Sequence, residues 1–311
     1  MARQDPPRSG RRYRNFGWQG VSLTVPADWK LVFTEGDRQA GYVRLADDTS
    51  VRMELRWEGS PRDRRPPAVV DSYLEKLKKR ARKRELDFSV QRELNLASPP
   101  GKEVECYRWV ADRQSVAMAS RCGECDRIVH VHLLGSPQEG LKSLARTTFA
   151  SMQDHGQDGW ERWEFLDMLL RSPAELPLVS QELKTGRIRM EFGRRLLRLR
   201  FVRLSLAEVL LAEKSLQDWL RGYYSDRLKR RSFEMEERRV KDHPGVRVQG
   251  RPWLLVNPLR PLGKARTVRV ACWHCEKTNR LFICGFDGPE SRLDWFEPAV
   301  EGFACCETSS Q

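Results

Sequence analysis

The sequence predicts an α+β protein built as two tandem, pseudo-symmetric copies of an antiparallel sheet packed with helices. Three observations carry that expectation. Four blocks of sequence recur in one order at similar spacing, the mark of a duplicated unit. In each copy, stretches with apolar residues at alternate positions cluster on either side of one helical pattern, unlike the regular strand–helix alternation of a parallel sheet. A CxxC element closes the series in each copy, with segments 122–135 and 272–285 aligning without a gap.

The elements follow in order. Residues 1–14 (MARQDPPRSGRRYR) read as a disordered basic tail. The first copy spans 15–154, the second 155–304, and residues 305–311 form a C-terminal tail. The opening block FGWQGVSLTVPADWKLVF (16–33) matches ERWEFLDMLLRSPAELPLV (161–179), pairing Trp18, Val21, Leu23 and Val25 with Trp163, Leu166, Met168 and Leu170. GYVRLADDTSVRMELRW (41–57) matches GRIRMEFGRRLLRLRF (186–201), and both read as hairpins. PPGKEVECYRWV (99–110) matches HPGVRVQGRPWL (243–254), keeping Gly101/Gly245, Val104/Val248 and Trp109/Trp253. Each copy is expected to hold three strands, a helix, three or four strands and a short closing helix. The long helix is PAVVDSYLEKLKKRARKRE (67–85) in copy one, with Val70, Tyr73, Leu74, Leu77 and Ala81 inward. In copy two it is SLAEVLLAEKSLQDWLRGYYSDRL (205–228), with Leu210, Leu216, Trp219 and Leu220 inward, and the closing segments are 140–152 and 291–303.

The stretch GWQGVSLTVPADWKLV (17–32) is a Trp-led strand that ends in Pro, with another Trp soon after. With the element order, it resembles the start of PsbP-like domains, a group that includes the photosystem II extrinsic protein and a Ran-binding factor. The resemblance implies a sheet sandwiched by helices and a habit of binding other proteins without catalysis. The CxxC elements depart from that family's pattern, so no functional residue carries over, and a photosynthetic role is not supported.

Composition narrows the function classes. Lys and Arg number 56 against 43 Asp and Glu, a formal charge of +13 with a pI near 9.6. Such a surplus attracts polyanions and acidic surfaces, but Arg interspersed with Asp and Glu describes a salt-bridge-rich surface equally well. No apolar run approaches the roughly 18 residues of a membrane helix, and the basic N-terminus lacks the apolar stretch of a secretory signal. The expectation is therefore a cytoplasmic protein without membrane association. Eight cysteines there point to metal ligands or buried thiols before a disulfide framework.

The flanks of CGEC (122–125) and CWHC (272–275) both read as strands, which puts each CxxC on a hairpin turn. Two such knuckles facing each other would complete a tetrahedral four-thiolate site, so Cys122, Cys125, Cys272 and Cys275 are candidate ligands of one structural Zn2+ joining the copies. An iron–sulfur cluster accepts the same four cysteines. A redox pair fits less well, because redox CxxC elements usually open a helix whose dipole lowers the thiol pKa, and here Asp126–Arg127 and Glu276–Lys277 follow. Cys106 and Cys284 read as core residues, and Cys305 and Cys306 as partly buried fillers or an exposed reactive pair. His130 and His132 share a strand face and are expected to be solvated or hydrogen-bonded; His274 is a candidate neighbour of the metal, and His243 belongs to a turn.

The densest basic runs, Lys76, Lys78, Lys79, Arg80, Arg82, Lys83 and Arg84 with Lys229, Arg230 and Arg231, are candidate phosphate contacts. The competing reading is a solvated helix face whose cations complement a C-terminus. There is no phosphate loop, dinucleotide fingerprint, nucleophile elbow or HExxH. The function expected is a non-catalytic, zinc-stabilised scaffold binding a protein partner. The alternatives are a nucleic-acid-associated protein and an enzyme with its site between the copies.

Overall fold

The computed structural model describes residues 12–61, 64–156, 158–225, 231–252 and 266–306. They form two compact units, one from residues up to 156 with 164–166, the other from 157–163 and 167 onward.

The first unit opens with a hairpin, β1 (Tyr13–Trp18) and β2 (Val21–Pro26), paired from Tyr13↔Pro26 to Trp18↔Val21. Gln19 and Gly20 both take positive φ, the two-residue turn whose twist matches antiparallel strands. The block read as one leading strand is thus split, and β1 begins inside the segment expected to be tail. A seven-stranded antiparallel sheet follows, in the order β3-β4-β5-β9-β8-β7-β6. Its strands are β3 (Lys30–Gly36), β4 (Ala40–Ala46), β5 (Val51–Gly59), β6 (Ser89–Gln91), β7 (Glu103–Val110), β8 (Gln114–Arg121) and β9 (Arg127–Gly135).

Helix α1 (Pro66–Lys83) starts on two prolines, whose fixed φ suits a first turn, and has Arg80, Arg82 and Lys83 in its last turn, where cations complement the negative end of the helix dipole. Its Val70 and Leu74 pack on Tyr107, Trp109, Ala117, Ala119 and Leu134, with Tyr73 and Leu77 partly buried beside them. Helix α2 (Lys142–Ala150) lies against β2 and β8. All of β9 and nearly all of β8 are buried, so both faces of the sheet centre are covered.

Strand β10 (Trp160–Phe165) carries residues of both units; the second unit has β11 (Met168–Pro173) and a seven-stranded antiparallel sheet in the order β12-β13-β14-β18-β17-β16-β15. These are β12 (Leu178–Lys184), β13 (Arg187–Arg194), β14 (Leu197–Ser205), β15 (Arg231–Glu237), β16 (Gly245–Pro252), β17 (Arg266–Cys275) and β18 (Arg280–Pro289). The single long helix expected at 205–228 is two short ones, α3 (Ala207–Leu211) and α4 (Leu216–Tyr223). Ser215 restarts the helix by accepting the Asp218 N–H at 3.0 Å, a cap that ends one helix and begins another. Leu210 is consequently exposed, while Leu220 and Tyr224 pack on Val202, Leu204, Val270 and Ile283. The opposite face holds an aromatic cluster in which Phe303 meets Phe201, Trp273 and Phe282 edge-on. Helix α5 (Phe296–Glu301) closes the unit.

The protein is thus sheet-rich, with helices laid on antiparallel sheets. Among the described residues, no helix is long and apolar enough to cross a membrane.

Candidate metal centres

In a strand, side chains alternate between faces, so residues three apart point to opposite sides; on a turn they can converge. That rule separates the two CxxC elements. Cys122 follows the last residue of β8, its N–H bonded to the Arg127 carbonyl at 3.0 Å, and residues 123–125 form the turn. Asp126 closes it with φ of 51°. Cys122 and Cys125 therefore face one site. Cys272 instead lies inside β17, directly opposite Ile283, while Cys275 ends that strand opposite Arg280. Cys272 is 0% exposed within the core under α4. Burial pushes its thiol well above the ordinary range.

Among the described residues two clusters of donors result, one in each unit, each with its ligand atoms within 4.8 Å of one another. The first is Cys122, Cys125, Asp154 and His155; the second is His243, Cys275, Cys305 and Cys306. Neither cluster by itself carries four thiols, and Cys272 belongs to neither of them. Donors so placed could hold a single metal ion, for which tetrahedral ligand distances are about 2.0–2.3 Å.

In the first cluster the post-helical chain brings the other two ligands. Gln153 and Ser22 exchange backbone hydrogen bonds at 2.8 Å, pinning the segment beyond α2 to β2. Buried Arg127 then donates to the carbonyls of Asp154 (2.8 Å) and Gln19 (3.0 Å). His155 Nε2 stands 3.4 Å from Cys122 Sγ, and its Nδ1 faces the Gly156 carbonyl at 3.4 Å, the outer contact that orients a ligating imidazole. Asp154 is 1% exposed. Its Oδ1 pairs with Lys102, whereas Oδ2 is buried with no hydrogen-bond partner. A buried carboxylate oxygen without a partner is costly, a cost that a cation at the cluster would relieve. Burial, then the Asp154 charge, push the Cys125 thiol up to about 12. The thiolate needed for ligation forms only with a compensating cation.

In the second cluster a different turn supplies the imidazole. Lys241 and Asp242 both have positive φ (50° and 64°), and Val240 and His243 bond each other's backbone across them at 3.0–3.1 Å. This is the tight hairpin turn that favours left-handed residues at both centres. Lys241 Nζ donates to the carbonyls of Glu301 (2.8 Å) and Phe303 (3.0 Å), tying the turn to the chain that carries the last two cysteines. His243 Nε2 lies 3.2 Å from Cys305 Sγ and 3.6 Å from Cys306 Sγ, and the two sulfurs are 3.8 Å apart. Cys275 Sγ faces the Cys305 carbonyl at 3.8 Å. Burial raises the Cys305 thiol to about 11 and lowers His243. The neutral imidazole that results is the form that binds metal.

No protein-family model matches the chain, and no curated protein matches it. Solved structures similar to it include cyanobacterial PsbP (CyanoP) from Synechocystis, at 14% identity over 49% of this chain and 98% of that one, TM-score 0.35. The immunity protein TplEi of the Pseudomonas aeruginosa T6SS is similar at 11% identity. Its complex with an "L" peptide covers 95% of this chain and 98% of that one (TM-score 0.33), and its apo form 96% and 97% (TM-score 0.32). These likenesses concern fold alone.

Of the residues singled out from sequence, Cys122, Cys125 and Cys275 are in clusters. Asp154, His155, His243, Cys305 and Cys306 complete them, and the last two sit in a site where a tail was expected. His274 bonds the Pro244 carbonyl through its backbone N–H, and its ring stands outside the cluster. Cys106 and Cys284 are buried core thiols. His130 and His132 are buried, bonded to Tyr107 (2.7 Å) and Ser115 (3.3 Å). Lys76, Lys78, Lys79, Arg80, Arg82, Lys83 and Arg84 lie exposed along α1 and its end, where Arg84 pairs with Asp112 at 3.5 Å. Lys229 and Arg230 lie outside the described residues, and Arg231 opens β15.

Proposed function

We propose that the chain is a non-catalytic, zinc-stabilised binding protein, a tandem pair of PsbP-like units in which each unit carries its own Zn2+. What supports this most is the matching position of the two clusters. In each unit, donors come from the hairpin between the last two strands and from the residues four and five beyond the closing helix. A metal there clips a hairpin to the chain end of its own unit, so its binding energy becomes folding energy. Asp and His among the donors favour a single zinc over an iron–sulfur cluster.

A protein partner is supported by the exposed apolar residues on the outer strands, Val32 and Phe33 on β3 and Val179 on β12. Val32 and Val179 each lie at a register shift of their strand, where a bulge turns a side chain outward. A second reading, nucleic-acid association, rests on the exposed cations of α1. Salt-dependent retention on RNA or DNA that is lost on reversing Lys78, Lys79 and Arg80 would favour it.

Metal analysis of the purified protein tests the main reading. Two zinc per chain are expected, one in Cys122→Ser, one in Cys305→Ser, and still two in Cys272→Ser. Metal-free protein of unchanged stability overturns it.

A further inference from the structure

The first unit holds a cavity of about 480 Å3 between α1 and strands β4, β5 and β9. That volume is ordinary for a small-molecule site. Tyr42, Tyr73 and His130 line it together with two cations, Arg56 and Lys76. Arg56 lies 4.4 Å over the Tyr42 ring, and neither cation has a carboxylate partner among the described residues. The nearby carboxylates are mostly engaged: Glu58 by Arg64 at 2.5 Å and Glu54 by Arg44 at 3.3 Å, leaving exposed Glu35.

The fold does not require this polarity. In the second unit, Leu281 and Ile283 of β18 face α4, where β9 turns His130 and His132 toward Tyr73 of α1. The second unit's cavity there is about 190 Å3, and its arginines are taken: Arg189 and Arg200 by Glu191 at 2.8 and 2.7 Å, Arg187 by Glu182 at 3.4 Å. Imidazoles in the first unit's core carry a cost the second avoids. His132 is 0% exposed, and its Nε2 is buried without a hydrogen-bond partner. Burial holds His130 neutral, its pKa down to about 3, so it offers hydrogen bonds and no charge.

We propose that this cavity binds a small planar aromatic carboxylate, its ring against Tyr73 and its carboxylate on Arg56 and Lys76. Aromatic walls select a flat apolar body, and an unpaired guanidinium matches a carboxylate with two parallel hydrogen bonds. The proposal is independent of the metal reading.

Calorimetric titration with 2-naphthoate and its neutral counterpart 2-naphthamide tests it. Naphthoate should bind one site per chain at least tenfold more tightly than the amide. Arg56→Gln should erase that preference, Ser72→Trp should block both probes by filling the cavity, and exposed Lys79→Gln should change nothing. An unchanged circular-dichroism spectrum and thermal midpoint in each variant report that the chain still folds. Equal affinity for the two probes, no saturable binding, or naphthoate binding that survives both Arg56→Gln and Ser72→Trp overturns the proposal.

Discussion

In the first unit the hairpin turn contributes two thiols, and the chain beyond α2 contributes a carboxylate and an imidazole. In the second the hairpin contributes one thiol, the chain beyond α5 contributes two, and a separate turn lends His243. The surroundings match as well: Gln153 bonds the second residue of β2, and Ala304 bonds the second residue of β11. The place is therefore set by topology, where a hairpin end meets the chain leaving the last helix. Ligand identity is free to vary around it. Cys272 shows how: drawn into a strand, it faces the core, and His243 stands in its stead.

The comparison can be broken most forcefully at the ligands. Loss of a structural metal ranks among the most damaging single changes, above about 4 kcal/mol. Cys305→Ser should therefore unfold the second unit and spare the first, and Cys122→Ser the reverse, as read by hydrogen exchange resolved along the chain. Protection lost equally in both units would deny that the sites are independent.

Acid should distinguish the units next. His130, at about 3, and His132, also lowered, are both depressed below their unfolded values by burial. Between roughly pH 6.5 and 3 the unfolded chain takes up protons that the folded chain refuses, so stability is full above that window and falls as pH drops through it. The slope is about 1.4 kcal/mol per pH unit for each histidine. Denaturant melts from pH 7 to 5 should show it in the wild type and much less in His130→Gln/His132→Gln. An unchanged slope would exclude these groups as its source.

A smaller effect tests the second cluster alone. Lys241 holds the His243 turn through two carbonyls, so Lys241→Ala should weaken zinc there by about 10- to 100-fold, the usual effect of an outer contact. Competition with a chromogenic chelator should show one of the two zinc ions leaving earlier than in the wild type. Smallest is the expected difference in intrinsic release. The first site, with two thiolates, should yield its ion to chelator before the second, which has three.

The hairpins and α1 were legible in the sequence because alternation and 3.6-residue spacing are local. Val70, Leu74 and Ala81 face inward as that spacing implies. The break between α3 and α4 hid in a polar cap, Ser215 with Asp218, inside an otherwise apolar pattern. The two donor clusters were half legible. CGEC is a usable chelate because it sits on a turn; CWHC looks identical in sequence, but strand pairing puts its two sulfurs on opposite faces. Asp154–His155 and Cys305–Cys306 share no residue type, so alignment by identity passes over them. Their common signal is position, directly beyond the closing helices.

Anomalous diffraction at the zinc absorption edge tests the central claim most directly. Two peaks are predicted, one enclosed by Cys122, Cys125, Asp154 and His155, the other by His243, Cys275, Cys305 and Cys306. A single peak shared by Cys122, Cys125, Cys272 and Cys275 would contradict it.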